Sequence, residues 1–153
     1  MTPSAIRAAT TLERAAWVRS MVTEIRRLPV NDREQFFSDR RNLAAAESYL
    51  RRALEALLDL GRHVAARGFG EGVVEYKEIP RSLERLGVID AGASERFVRL
   101  AGYRNRMVHF YQEITAQELF HICVAELDDV EAVLDSVLTW LRSHPDMVEG
   151  SLD

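Results

Sequence analysis

Arg104, Asn105 and His109 fall close together in the stretch YRNRMVHFY, which runs from Tyr103 to Tyr111. An imidazole exchanges its proton near neutral pH and can serve as general base or acid. A guanidinium beside it binds phosphate and stabilises charge building on the phosphoryl oxygens. An asparagine can orient either the imidazole or the substrate. Together the three suffice, without a metal, for attack of an RNA 2′-hydroxyl on its neighbouring phosphate. Arginine and histidine are also common near helix ends, where the dipole favours cations. Residue types alone therefore leave a functional site and a solvated helix end both open.

Charge around the stretch favours an anionic partner. Between Ser94 and Tyr111, Glu95 stands against Arg96, Arg99, Arg104 and Arg106, an excess of three positive charges in a chain of net charge −4. Local arginine in an acidic whole is what a phosphate-binding groove needs. Arg99, before the trio, and Arg106, within it, are accordingly candidate RNA contacts. Helix geometry adds a condition. At 100° per residue Asn105 and His109 share one face and Arg104 and Tyr111 an adjacent one, but Arg104 and His109 lie about 140° apart. Either the helix ends or unwinds around His109, or the groups meet in a cleft shared by two subunits. Gly102, costly inside a helix, fits a tight helix contact or a dimer seam.

The elements that must position these groups are helical. Leu12, Ala16, Val18, Met21, Val22, Ile25 and Leu28 give helical spacing closed by Pro29. Asn31 with Glu34 is a capping box, predicting one long second helix through Leu43, Leu50, Leu57 and Val64 to the glycines at 68 and 70. The segment from Phe69 to Gly92 is a connection with one short helix near Arg81–Leu86, capped by Gly87. A third helix begins near Ser94. Thr115 with Glu118 opens a fourth, whose seam Leu119, Cys123, Leu127, Val130, Leu134, Val137 and Leu141 ends before Pro145. No stretch alternates with period two and no linker divides the chain. The expectation is all-α: one domain over residues 1–153, an up-and-down four-helix bundle with a short extra helix between helices 2 and 3.

Other chemistry finds little support. Zinc-spaced cysteines, the H-E-x-x-H pattern, a Walker loop and a dinucleotide fingerprint are all missing. No strand precedes the glycines at 68, 70 and 72, so they do not form a phosphate cradle. Asp128, Asp129 and Glu131 fit a solvated face better than a metal site, and no metal or cofactor is expected. His63, beside Arg62, fits a partly exposed structural histidine, and His121 and His144 fit the surface. The single Cys123, between Ile122 and Val124, fits a buried, inert thiol. No apolar run reaches the length of a membrane span, and the N-terminus lacks a secretory stretch, so a cytoplasmic protein is expected. The 19 arginines against one lysine fit genomic base composition.

RNRMVHFY resembles the R-x4-H-x-Y motif of HEPN-domain proteins, specifically the HepT toxins of HepT–MntA toxin–antitoxin pairs. The likeness extends to RNLAAAESYLRRALEALLDLGRHVAARG, YKEIPRSLERLGVID, FVRLAGYRNRMVHFYQEIT and the final helix, covering roughly Arg41 to Leu141. The first helix, with Trp17, is a longer lead-in than the shortest members have. The resemblance implies a HEPN fold, a homodimer whose two motifs face one cleft, and metal-independent endoribonuclease activity. Carried over position by position, His109 is the base, Arg104 the phosphate and transition-state ligand, and Asn105 assists. Tyr111 matches the tyrosine that the partner nucleotidyltransferase, an MntA-like antitoxin, modifies with AMP. Added bulk and negative charge beside Arg104 would plug the cleft and repel RNA. The alternative is a non-catalytic HEPN module that binds a nucleotidyltransferase or a nucleotide, and the plainest is a structural helical dimer.

Overall fold

The computed structural model describes residues 3–109 and 114–153. Among these, seven α-helices follow one another: α1 (Ala8–Arg27), α2 (Arg33–Ser38), α3 (Arg40–Phe69), α4 (Glu78–Arg85), α5 (Ala91–Val108), α6 (Ala116–Ala125) and α7 (Leu127–Arg142). The long members close a four-column bundle. α1 lies along α3, α3 packs on α5 and α6, α5 on α7, and α7 returns to α1. The core consists of their facing stripes, with Val18, Val22, Leu50, Leu54, Leu57, Phe97, Leu100, Val130 and Leu134 essentially without solvent contact. Burying such aliphatic and aromatic faces is the main force holding the columns together.

Two expected helices prove to be broken, and in each case an acidic side chain explains the break. The second column is α2 and α3, not one helix from Asn31. Asp32 rather than Asn31 caps α2, accepting from Gln35 N–H at 3.1 Å. Asp39 then leaves helical geometry and accepts from Arg41 N–H at 2.9 Å, so a carboxylate satisfies an open N–H group of α3. Phe36 anchors the short α2 from beneath, packed against Phe37 and Phe120. The fourth column divides at Glu126, which is 9% exposed although charged. Its carboxylate turns inward to accept from Tyr103 Oη at 2.7 Å and Arg99 Nε at 2.9 Å. A buried carboxylate requires such donors.

The other boundaries come closer to expectation. Thr115 does cap α6, accepting from Glu118 N–H at 3.1 Å. α5 begins three residues before Ser94, because Asp90 takes the capping role and accepts from Ala93 N–H at 2.8 Å; Ser94 is buried within the helix. α4 runs from Glu78 and gives way to Gly87, whose φ of +80° suits a residue without a Cβ. Gly61 is what lets α4 lie on α3: a Cβ there would sit 2.6 Å from Ile79 Cγ2. One feature was not anticipated. Ile6–Arg7 (β1) pairs in parallel with Val148–Glu149 (β2), a ribbon too short to leave a period-two pattern.

Candidate functional site

α5 presents two polar stripes with different fates. Arg99, Tyr103 and Arg106, spaced i, i+4 and i+7, share one face and meet the acids of the fourth column. Arg99 bonds Glu126 and, through Nη2, Asp129 at 2.7 Å. Arg106 grips both Glu118 oxygens at 2.6 and 2.7 Å. Burial, reinforced by Glu126, pushes the Tyr103 hydroxyl up to about 12, so it stays a donor. Arg99 and Arg106, expected as RNA contacts, are thus engaged by carboxylates across the bundle. To bind phosphate they would have to leave these pairs.

Arg104, Asn105 and His109 instead line one cleft of about 320 Å³ with Arg62, Tyr76 and the Val74–Glu75 segment. Helix termination brings His109 into line. α5 ends at Val108, and His109 has extended geometry (φ −98°, ψ 101°) with its N–H still bonded to Asn105 O at 3.1 Å. The angular offset of a straight helix therefore does not apply, which is the first of the two remedies. Tyr111 lies outside the described residues.

Arg104 is held from several sides. Nη1 donates to Asn105 Oδ1 at 3.2 Å, Nη2 lies 3.9 Å from Glu55 Oε2, and the guanidinium carbon sits 4.4 Å from the Tyr76 ring centre. Its side chain is 22% exposed. Nε is buried and has no hydrogen-bond partner among the described residues. Chemically, this is a cation kept partly dry at the floor of an open polar cleft beside an imidazole. Such an arrangement suits a phosphate group.

Three residues in and behind the cleft were not picked out from sequence: Glu55, Asp59 and Tyr76. Glu55, Asp59 and Arg62 lie at i, i+4 and i+7 on α3, a charged stripe running beside its apolar face. That spacing is the signal that could have found the first two. Tyr76 left none, because it sits in the connection between α3 and α4.

The remaining expected residues fall into place. His63 Nε2 accepts from Arg7 N–H at 3.1 Å, a structural role. Burial raises the Cys123 thiol to about 12, consistent with an inert core cysteine. Asp128 and Glu131 pair with Arg26, and Asp129 with Arg96 and Arg99. His121 is exposed as expected, whereas His144 is half-buried, stacked on Trp140. An added Cβ at Gly102 would meet nothing within 4 Å among the described residues, so no tight contact there explains that glycine. No helix among the described residues is long and apolar enough to cross a membrane.

Comparison with known proteins agrees with this architecture. A tri-AMPylated HEPN toxin of Shewanella oneidensis, solved in complex with its MNT antitoxin, superposes with a TM-score of 0.77 at 22% identity, covering 85% of this chain and 97% of that one. A toxin–antitoxin complex with AMP-PNP gives 0.73 at 20% identity over 84% and 97%. YutE of Bacillus subtilis, a cytosolic protein of unknown function, gives 0.74 at 15% identity over 95% and 96%. At these identities the likeness is one of fold. No curated protein matches the sequence. The model of the family described as ribonuclease HepT-like matches residues 18–137, most of the chain, and with the all-helical fold just described it establishes that this protein belongs to the HepT-like family of HEPN domains.

Proposed function

We propose that this chain is the toxin of a type VII-like toxin–antitoxin pair, a metal-independent endoribonuclease silenced by a nucleotidyltransferase. The observation that carries the reading is that α5 stops at Val108, so that His109 lines the same cleft as Arg104 and Asn105. In the proposed reaction His109 takes the proton of an RNA 2′-hydroxyl. The freed oxygen attacks the adjacent phosphorus, the bond from phosphorus to the 5′-oxygen breaks, and that oxygen takes a proton from solvent, giving a cyclic phosphate and a 5′-hydroxyl. Arg104 binds the phosphate and offsets the charge that builds on its oxygens. Asn105, already bonded to Arg104, fixes the guanidinium relative to the imidazole. Arg99 and Arg106 enter this reading as fasteners of the bundle more than as RNA ligands.

Two copies of the chain would place two such clefts together, and Gly102, with open space before it among the described residues, lies on the same helix as Arg104 and Asn105. The partner that modifies Tyr111 with AMP would add charge two residues beyond His109. Support for this partnership comes from family membership and from the toxin–antitoxin complexes that share the fold.

Purified protein, incubated with RNA in EDTA, tests the reading. Wild type should cut and leave cyclic-phosphate ends, while His109→Ala should lose on the order of 10²- to 10⁴-fold in rate with an unchanged melting temperature. Co-expression with a nucleotidyltransferase should add AMP mass to a peptide containing Tyr111. Wild type that binds such a partner yet cuts no RNA would instead establish the non-catalytic module.

A further inference from the structure

We infer that Tyr76 is a positioning residue for Arg104, its ring holding the guanidinium while Asp59 holds its hydroxyl; this deepens the nuclease reading and rests on it. Tyr76 lies between α3 and α4, away from the polar stretch on α5. Its ring centre is 4.4 Å from Arg104 Cζ and 4.6 Å from Arg62 Cζ. The hydroxyl donates to Asp59 Oδ1 at 2.8 Å, and Arg62 Nη1 donates to the same oxygen at 3.2 Å. A phenol that donates to a carboxylate has a more electron-rich ring, which strengthens attraction for a cation over its face. Burial, with the Asp59 bond, raises the Tyr76 pKa above its ordinary value, so the hydroxyl remains a donor at neutral pH.

The rest of the network keeps that ring in place. Arg62 donates from Nε to Val73 O at 3.0 Å and from Nη2 to Val74 O at 2.9 Å, pinning the backbone just before Tyr76 to α3. Arg104 needs such a support. Its Glu55 contact is long at 3.9 Å, its Asn105 contact comes from its own helix, and its Nε has no partner among the described residues. Among the described residues, the Tyr76 face is the close contact that reaches it from another element. An arginine side chain has many rotamers, and a ring that selects one of them orders the phosphate ligand before RNA arrives.

The test compares Tyr76→Leu and Tyr76→Phe by two measurements. One is the Arg104 Nε–H resonance, assigned with Arg104→Lys, which requires no activity. The other is single-turnover cleavage of a short RNA. Tyr76→Leu should release the resonance from its ring-current shift and slow cleavage on the order of 10-fold, with half-saturating RNA within about 2-fold of wild type. Tyr76→Phe should keep the shift and most of the rate. In an Arg104→Lys background, Tyr76→Leu should slow cleavage no further. An unmoved resonance, or an equal loss in the Arg104→Lys background, overturns the inference. Wild type that cuts no RNA brings down the nuclease reading, and the resonance alone then decides whether Tyr76 holds Arg104. Should Tyr76→Leu fail to fold, Tyr76→Met replaces it with the same two readouts: a released resonance with slower cleavage supports the inference, and an unmoved resonance refutes it.

Discussion

Arg106 and Glu118 meet as a two-point ion pair that fastens the last turn of α5 to the first turn of α6. The guanidinium holds the Glu118 carboxyl below the usual range, chiefly through their hydrogen bond. Arg106 is therefore expected to contribute to the frame and not to phosphate binding. Arg106→Gln should lower stability by at most about 1 kcal/mol, the scale of a largely exposed pair. It should also leave the dependence of RNA affinity on salt unchanged. A phosphate ligand would take roughly one unit off that slope when removed, and a flattened slope would return Arg106 to the RNA surface.

His63 gives the fold a sensitivity to acid. Its imidazole accepts the Arg7 N–H, which only the unprotonated nitrogen can do. Burial lowers its pKa, helped by the charges of Arg67, Arg14 and Arg7. The folded chain therefore takes up this proton at lower pH than the unfolded chain does. Stability is intact above the unfolded value near ~6.5 and declines as pH falls below it. Melting curves at pH 7.5 and 5 should show a smaller acid loss for His63→Gln, whose amide oxygen can still accept, than for wild type. Equal losses would mean that His63 does not contribute.

Glu126 joins α6 to α7 while buried, and its two donors come from α5. Replacing it by alanine strands Arg99 Nε and the Tyr103 hydroxyl without an acceptor. The expected cost is roughly 2–3 kcal/mol, measured by urea denaturation. Tyr103→Phe should cost about 1 kcal/mol and leave RNA cleavage unchanged. A cleavage defect in Tyr103→Phe would move this stripe into the reaction.

Gly102 sits mid-helix, and a Cβ there would meet nothing within 4 Å among the described residues. For an isolated chain, Gly102→Ala should therefore stabilise by about 1 kcal/mol, the helix-propensity gain. If two copies meet over this glycine, as proposed, Gly102→Leu should produce monomers in light scattering while keeping its helical circular dichroism. A dimer unaffected by leucine would place the seam elsewhere.

Sequence periodicity located the columns because burial imposes it on every long helix. The apolar seam from Leu119 to Leu141 was visible even though Glu126 interrupts the helix, since both pieces bury the same face. What stayed hidden was where an acid would turn from solvent to a backbone or side-chain donor. Asp39 and Glu126 look like surface residues in sequence, and only the donors facing them reveal their roles. The trio of Arg104, Asn105 and His109 was readable from residue type, and the helix end that aligns it was one of two stated possibilities. Tyr76 was not readable, because its partners lie 17 residues before it at Asp59 and well beyond it in the chain at Arg104. Likewise, charge counting along one helix does not reveal the neighbouring acids that pair with Arg99 and Arg106.

The pairing of β1 with β2 bears on the order in which the molecule is completed. Ile6 is fully buried, packed near Gly68 and Met147, and its strand partner is Val148. During synthesis α1 and α3 can zip together as soon as both have left the ribosome, since domains form from the N-terminal side while the chain grows. The edge at Ile6 must then wait, unpaired, through the making of four more helices. The ribbon thus ties the first element of the fold to the last: the pairing of Ile6 with Val148 can form only after every helix of the bundle has been made.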